Sequence, residues 1–341
     1  MQSLQDAVDE AVQRTGFSGV VRVDRSGTTQ LAAAYGFADR GHRVPNTVGT
    51  RFAIASGAKT LTALVVMSLV ERGALGLDTP VRSLLGRDLP MVAEDVTVEQ
   101  LLAHRSGIGD YLDEDGDADV NDHVLPVPVH RLATTEQYLT VLDGHAQVSP
   151  AGERFAYNNA GYVVLALLAE RASGTDFHEL VHTLVCEPAG MVDTAFLRSD
   201  ELPGDAARGY LFADGLRTNV LHLPVVGSGD GGIYSTAADL SAFWDALLAG
   251  RIVSPDRVAE MLRPRSDWPA ESRRYGLGFH LAATGDAAWL EGYDAGVSFV
   301  SRHDPPTSTT CTVVANWSRG AWPVSALLEE RLRPGRTGRG S

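Results

Sequence analysis

Cysteine is almost absent from this 341-residue chain: Cys186 and Cys311 are its two copies. Two thiols so far apart build no disulfide framework. Both lie in apolar stretches and are expected to be buried free thiols of a cytoplasmic protein. Positive charge is scarce too, with 29 Lys and Arg against 43 Asp and Glu and a net charge of −14. Nucleic acids and anionic membranes need clustered cations, so neither is expected as a partner. No apolar run approaches the roughly 20 residues of a membrane span. The opening Met1-Gln2-Ser3-Leu4-Gln5-Asp6 has neither a basic nor an apolar segment, so no signal peptide is expected. What is present is ordinary for a globular protein, 44% hydrophobic and 21% charged, in a chain long enough for one large domain or two lobes.

Patterning predicts strands at both ends and helices between. Leu4, Ala7, Val8, Ala11 and Val12 recur at helical spacing. Strands are expected at 19–23 and 30–36, joined by the turn Asp24-Arg25-Ser26-Gly27. Residues 60–72 are rich in Leu, Val and Ala and read as a helix ended by Gly73 and Gly76. Thr97 caps a short helix through Leu102, residues 159–173 form an apolar helix stopped by Gly174, and Thr236 caps a helix through Leu248. Strands are expected at 275–279, 297–300 and 310–315, then a closing helix at 322–331. The arrangement implies an α+β fold. Residues 1–76 and 236–332 make an α/β lobe, 77–235 make an inserted helical lobe, and the Gly/Arg-rich 333–341 make a disordered tail. A cleft between lobes is a favoured ligand site. The acid-rich Asp113–Asp122 reads as an exposed loop. Ala118 and Val124 stand where a calcium loop needs its glycine and its bidentate glutamate.

Two short motifs carry chemistry. In Ser56-Gly57-Ala58-Lys59, positions i and i+3 of a helix face each other. Serine is a weak nucleophile that needs an activator, and a lysine serves as that base only where burial or a nearby cation lowers its pKa. Alone, Ser-x-x-Lys more often marks an exposed serine and a solvated lysine. In Tyr157-Asn158-Asn159 at the mouth of the apolar helix, Tyr157 could act as general acid or base. Asn159 could orient Lys59 or a substrate carbonyl. The plainer reading is that Asn159 caps the helix and Tyr157 packs beside it. His178-Glu179-Leu180-Val181-His182 matches the zinc-protease pattern, but Val185 and Pro188 replace the glycine and third histidine of one such continuation. Gly227–Gly232 lacks the spacing and lysine of a phosphate loop. His104 reads as a structural hydrogen-bonder.

The order of these motifs resembles the serine β-lactamase and penicillin-binding-protein superfamily, in its branch of class C β-lactamases, DD-peptidases and related esterases. The stretches that carry the resemblance are Arg51–Thr60, Thr97–Ile108, Phe155–Tyr162, Glu187–Thr194, Gly231–Thr236 and Tyr275–Phe279. It implies an antiparallel sheet flanked by helices plus an all-helical lobe. It also implies roles: Ser56 forms an acyl-enzyme, Lys59 activates it, and Tyr157 relays protons to the leaving group and from the incoming water or alcohol. The oxyanion hole is then the Ser56 N–H with one from a late strand. The family's third motif, Lys-Thr-Gly or His-x-Gly, is matched here by Leu290-Glu291-Gly292. Gly292 is kept, which makes the Tyr293 N–H the second oxyanion donor, but the cation that helps hold a substrate carboxylate is missing. Leu290, Tyr293 and Asp294 become candidate substrate contacts.

The resulting expectation is a serine hydrolase acting on a carboxylic ester or amide, with a small-molecule acyl substrate, no cofactor and no metal. The alternatives are an acyltransferase using the same acyl-enzyme, a DD-peptidase or β-lactamase, and a non-catalytic binding protein of the same fold.

Overall fold

Eight strands drawn from the two ends of the chain form one sheet in which every neighbouring pair is antiparallel. Across the sheet they run Thr28–Tyr35, Gly19–Arg25, Thr309–Ala315, Val297–Asp304, Ala288–Asp294, His280–Ala282, Arg273–Tyr275 and Ser266–Trp268. The computed structural model describes residues 2–112 and 119–332.

Consecutive apolar residues in the central strands have a simple cause. Side chains alternate across a strand, and both faces of this sheet are covered. Val21, Val313, Val300 and Trp289 join Val8, Ala11, Val324 and Leu328 on one face, under the helices Leu4–Thr15 and Ala321–Leu332. Val20, Val314, Phe299 and Leu290 join the main core on the other face, with the helices Ala58–Glu71, Asn159–Ser173 and Ala237–Leu248. Every residue from Ala58 to Leu69 is buried, so this helix is enclosed on all sides. Trp244 of the 237–248 helix donates to Ser301 Oγ at 3.0 Å, and Ser301 pairs with Thr312 Oγ1 at 2.8 Å, satisfying polar atoms inside the layer.

Several helix bounds follow their caps. Thr97 and Gln100 form a capping box over Val98–Leu102, and Thr236 accepts the Asp239 N–H at 3.1 Å. Other elements differ from the sequence reading. The segment expected as a strand at 275–279 is strand only at Tyr275; residues 276–279 turn the chain into His280–Ala282. The reason lies in two glycines. Gly278 has φ +83, and a Cβ there would come within 2.3 Å of Ala63 Cβ, while one on Gly276 would meet the Met261 carbonyl at 2.1 Å. The turn lies on the Ala58–Glu71 helix, where Thr60 Oγ1 donates to the Gly278 carbonyl at 2.6 Å. The first hairpin turn is tighter than expected, since the strands reach Arg25 and restart at Thr28. The helix Pro255–Met261 and the strands of two or three residues carried no readable period. Cys186 is buried, but Cys311 is only partly so. The core of the acidic loop, 113–118, and the tail, 333–341, lie outside the described residues.

Candidate active site

Ser56 does not lie on the long helix itself. It sits on a single 3₁₀ turn, Ala55–Gly57, from which the helix continues at Ala58. The turn is held on two sides. Ile54 N donates to the Ile233 carbonyl at 3.0 Å, within a small sheet where Phe52–Ala53 pairs with Ile233–Ser235. On the other side runs the strand Ala288–Asp294, with Gly292 so near that a Cβ would meet the Ile54 carbonyl at 2.1 Å and Ala55 Cβ at 3.1 Å. Ala55, just before the serine, has φ +43. That left-handed conformation costs a residue with a Cβ roughly 1–2 kcal/mol, and strain of this kind persists only where the surroundings fix it.

Lys59 is 2% exposed and its Nζ makes three hydrogen bonds: to Ser56 Oγ at 2.8 Å, Asn159 Oδ1 at 2.7 Å and the Asp230 carbonyl at 2.9 Å. Three oxygens thus surround Nζ, and the nitrogen is fixed against the serine hydroxyl. Lys59 is also the single lysine of the chain.

Asn159 is therefore more than a helix cap. The cap is Asn158, whose side chain accepts the Gly161 N–H at 2.6 Å. Asp110 completes the end of the helix, accepting the Asn159 N–H at 2.6 Å and the Ala160 N–H at 3.0 Å. Burial raises the Asp110 carboxyl to about 6, against the opposing pull of these N–H donors and of Lys59. Asp110 had no local signature in the sequence, because its partners lie about 50 positions away in the chain.

Tyr157 lies with its ring centroid 5.0 Å from Lys59 Nζ. His104 supports it from behind. The His104 ring centre is 4.3 Å from that of Tyr157, its Nδ1 accepts the Asn158 N–H at 3.0 Å, and its carbonyl accepts the Ala156 N–H at 2.8 Å. Both neighbours of Tyr157 are thereby tied to one histidine. Burial, with Lys59 and His280 adding to it, drives the His104 imidazole well below its ordinary value, so the ring is neutral and its Nδ1 free to accept. The structural reading of His104 matches this geometry. In front, Trp268 and His280 stack on the Tyr157 ring at 5.8 and 6.3 Å.

Ser56 opens on two spaces. One is a cleft of about 640 Å³ lined by Tyr157, Trp268, His280, Glu291, Gly292 and Tyr293, among others. The other is a cavity of about 70 Å³ that reaches Asn159, Asp230, Tyr293 and Asp294. Leu290, expected as a possible substrate contact, is 1% exposed in the core and lines neither space. Leu290 shares its face of the strand with Gly292, and its side chain packs into the main core with Phe299 and the Ala58–Glu71 helix. Cations enter the cleft from elsewhere. Arg273, from another strand, lines it and is held by Glu291 at 2.9 Å and Glu271 at 3.1 Å.

The zinc-like motif does not assemble. His178 Nε2 contacts the Gly227 carbonyl at 2.9 Å, and His182 Nε2 pairs with Glu187 at 3.3 Å, where the chain makes a π-helical turn over His182–Cys186.

Comparison with known proteins places this geometry in a family. A family model described as Beta-lactamase matches residues 4–332. PbpX of Bacillus subtilis (strain 168), named as a penicillin-binding protein, is 27% identical over 277 residues, covering 81% of this chain and 65% of PbpX. Esterase EstB of Burkholderia gladioli is 30% identical over 325 residues, covering 82% of this chain and 79% of EstB. The chain thus spans a little less than two thirds of the length of PbpX. The crystal structure of a penicillin-binding protein from Bacillus halodurans superposes with a TM-score of 0.89 at 34% identity, covering 95% of this chain and 99% of that one. The chain belongs to the Beta-lactamase family.

Proposed function

We propose that this protein is a serine hydrolase that cleaves a carboxylic ester or amide through an acyl-enzyme on Ser56. The observation that carries the reading is Lys59 Nζ, enclosed and held by three oxygens, 2.8 Å from Ser56 Oγ at the junction of two cavities. A fixed base beside the hydroxyl supplies what a free serine lacks. The step uses Lys59 as the free amine, its two hydrogens donated to Asn159 Oδ1 and the Asp230 carbonyl: Ser56 Oγ attacks the carbonyl carbon and its proton passes to the Nζ lone pair. The developing oxyanion takes the N–H groups of Ser56 and Tyr293, a pair in which each donor is worth about 3 kcal/mol. Tyr157 protonates the departing alcohol or amine as its bond to carbon breaks. Water then enters from the cleft, returns a proton to Tyr157 and attacks the acyl carbon, and Ser56 leaves with the proton held on Lys59.

The similarity to a protein named an esterase supports the ester or amide. So does the absence of a cation at position 290. The same reading divides the chain into an α/β lobe, 1–76 with 236–332, around a helical lobe, 77–235. Two unpaired cysteines suit a reducing compartment, and we place the protein in the cytoplasm.

The test uses an activated ester. Tyr157→Phe keeps the ring and its stacking but removes the hydroxyl. Lys59→Arg keeps a cation that cannot give up its proton. Each is expected to lower kcat/KM by about 100- to 10,000-fold with the circular dichroism spectrum unchanged. Turnover within tenfold of wild type in folded Tyr157→Phe would remove Tyr157 from the mechanism.

A further inference from the structure

His104 combines two unfavourable features in one residue. Its backbone is left-handed, with φ +54, a conformation that side chains with a Cβ disfavour. Its imidazole is 1% exposed and, since Nδ1 accepts the Asn158 N–H, carries its ring proton on Nε2. That Nε2 has no hydrogen-bond partner among the described residues. The rings of Phe155, Tyr157, Tyr162 and Tyr275 surround the imidazole, with centres 4.3 to 5.9 Å away. Buried donors are nearly always paired, and a phenylalanine here would bring no N–H to desolvate. Packing therefore does not account for the histidine. Strain that persists in a folded protein points to function.

What an imidazole has and a plain ring lacks is an acceptor, and Nδ1 is used on the Asn158 N–H at 3.0 Å. Residues 154–158 belong to no helix or strand, so neither ladder holds Tyr157 in place. The residue before it donates its N–H to the His104 carbonyl at 2.8 Å, and the residue after it donates to the His104 ring. Carbonyl and ring of one left-handed residue thus clamp the chain on both sides of Tyr157. The clamp is anchored in turn, because the Asn158 side chain caps the helix Asn159–Ser173 and donates to the Ile108 carbonyl at 3.0 Å.

We propose that His104 is a positioning residue for proton transfer: through Nδ1 and the Asn158 N–H it holds the Tyr157 hydroxyl where the leaving group takes its proton. The role rests on the acyl-enzyme reading above. It matters most for leaving groups that cannot depart without a proton. Ethoxide is one of these, whereas 4-nitrophenoxide leaves as the anion.

The experiment measures kcat/KM, which reports acylation, on ethyl butyrate and 4-nitrophenyl butyrate. His104→Phe keeps a ring and removes the acceptor. His104→Asn places Oδ1 near the Nδ1 position and tolerates the left-handed backbone. The ratio of the ethyl to the 4-nitrophenyl value is expected to fall about tenfold or more in His104→Phe, as in Tyr157→Phe, and to stay within about threefold of wild type in His104→Asn, whatever the change in Tm. A ratio that falls in Tyr157→Phe but not in folded His104→Phe, or that falls alike in His104→Phe and His104→Asn, overturns the positioning role alone. A ratio unmoved in folded Tyr157→Phe overturns it together with the proton relay. Nitrogen NMR of the wild-type enzyme gives a readout that needs no variant to fold. A coupling across the hydrogen bond between the Asn158 amide and His104 Nδ1 is expected, and a proton on His104 Nδ1 overturns the proposal.

Discussion

At the scale of single residues, the chain answers every need for a cation with arginine except at position 59. Arginine stays protonated in proteins, whereas lysine can exchange its proton. That contrast marks Lys59 in the sequence as clearly as its spacing to Ser56. Asp110 is its opposite, a residue with no visible signal that proves to hold the end of the helix carrying Asn159. Its raised pKa has a signed consequence. Between the usual carboxylate range and about pH 6 the folded protein holds a proton that the unfolded chain has released. Asp110 therefore contributes most stability below pH 4, and that contribution is lost as pH rises through about 6. Urea unfolding at pH 4.5 and 7 should show a fall in stability in wild type that is smaller in Asp110→Asn. Equal pH slopes in the two proteins would contradict the assignment.

At the scale of elements, legibility followed period and punctuation. The helix Asn159–Ser173 matched its expected bounds because a capping Asn158 and a stop at Gly174 flank a continuous apolar run. The short strands 266–268, 273–275 and 280–282 are too short to show alternation, and glycines at 276 and 278 looked like strand when they form the turn between two of these strands. The Ser56 turn depends on the neighbouring strand in a way that the residues 54–57 alone do not reveal. Gly292 lets the Ala288–Asp294 strand approach the Ile54 carbonyl. Gly292→Ala must push the two apart. Overpacking of this sort costs typically 1–3 kcal/mol, and a shift of about 1 Å at a nucleophile can cost about 100-fold in rate. The expected result is a large loss of kcat with a modest drop in Tm. Wild-type kcat in Gly292→Ala would show that the contact between strand and turn does not position Ser56.

At the scale of the whole molecule, the site draws on segments spread from residue 52 to residue 294. Lys59 reaches Asn159 across 100 positions and Asp230 across 171. Contacts so distant have no local pattern, which is why Ser56 and Lys59 were readable from spacing while Asp230, Trp268 and His280 were not. Tyr157 was a candidate from its place at the mouth of the apolar helix, whereas Gly292 became one only through the order of motifs along the chain. The sheet, built from both termini, makes the proximity possible by carrying Gly292 to the turn that begins the buried helix. The central claim is that all of this serves one covalent bond to one oxygen. The direct test is intact-mass spectrometry of the protein quenched during turnover of an activated ester, followed by peptide mapping. An adduct of acyl mass on the peptide containing Ser56, absent in Ser56→Ala, is the predicted result. An adduct on another residue, or one that persists in Ser56→Ala, would contradict it.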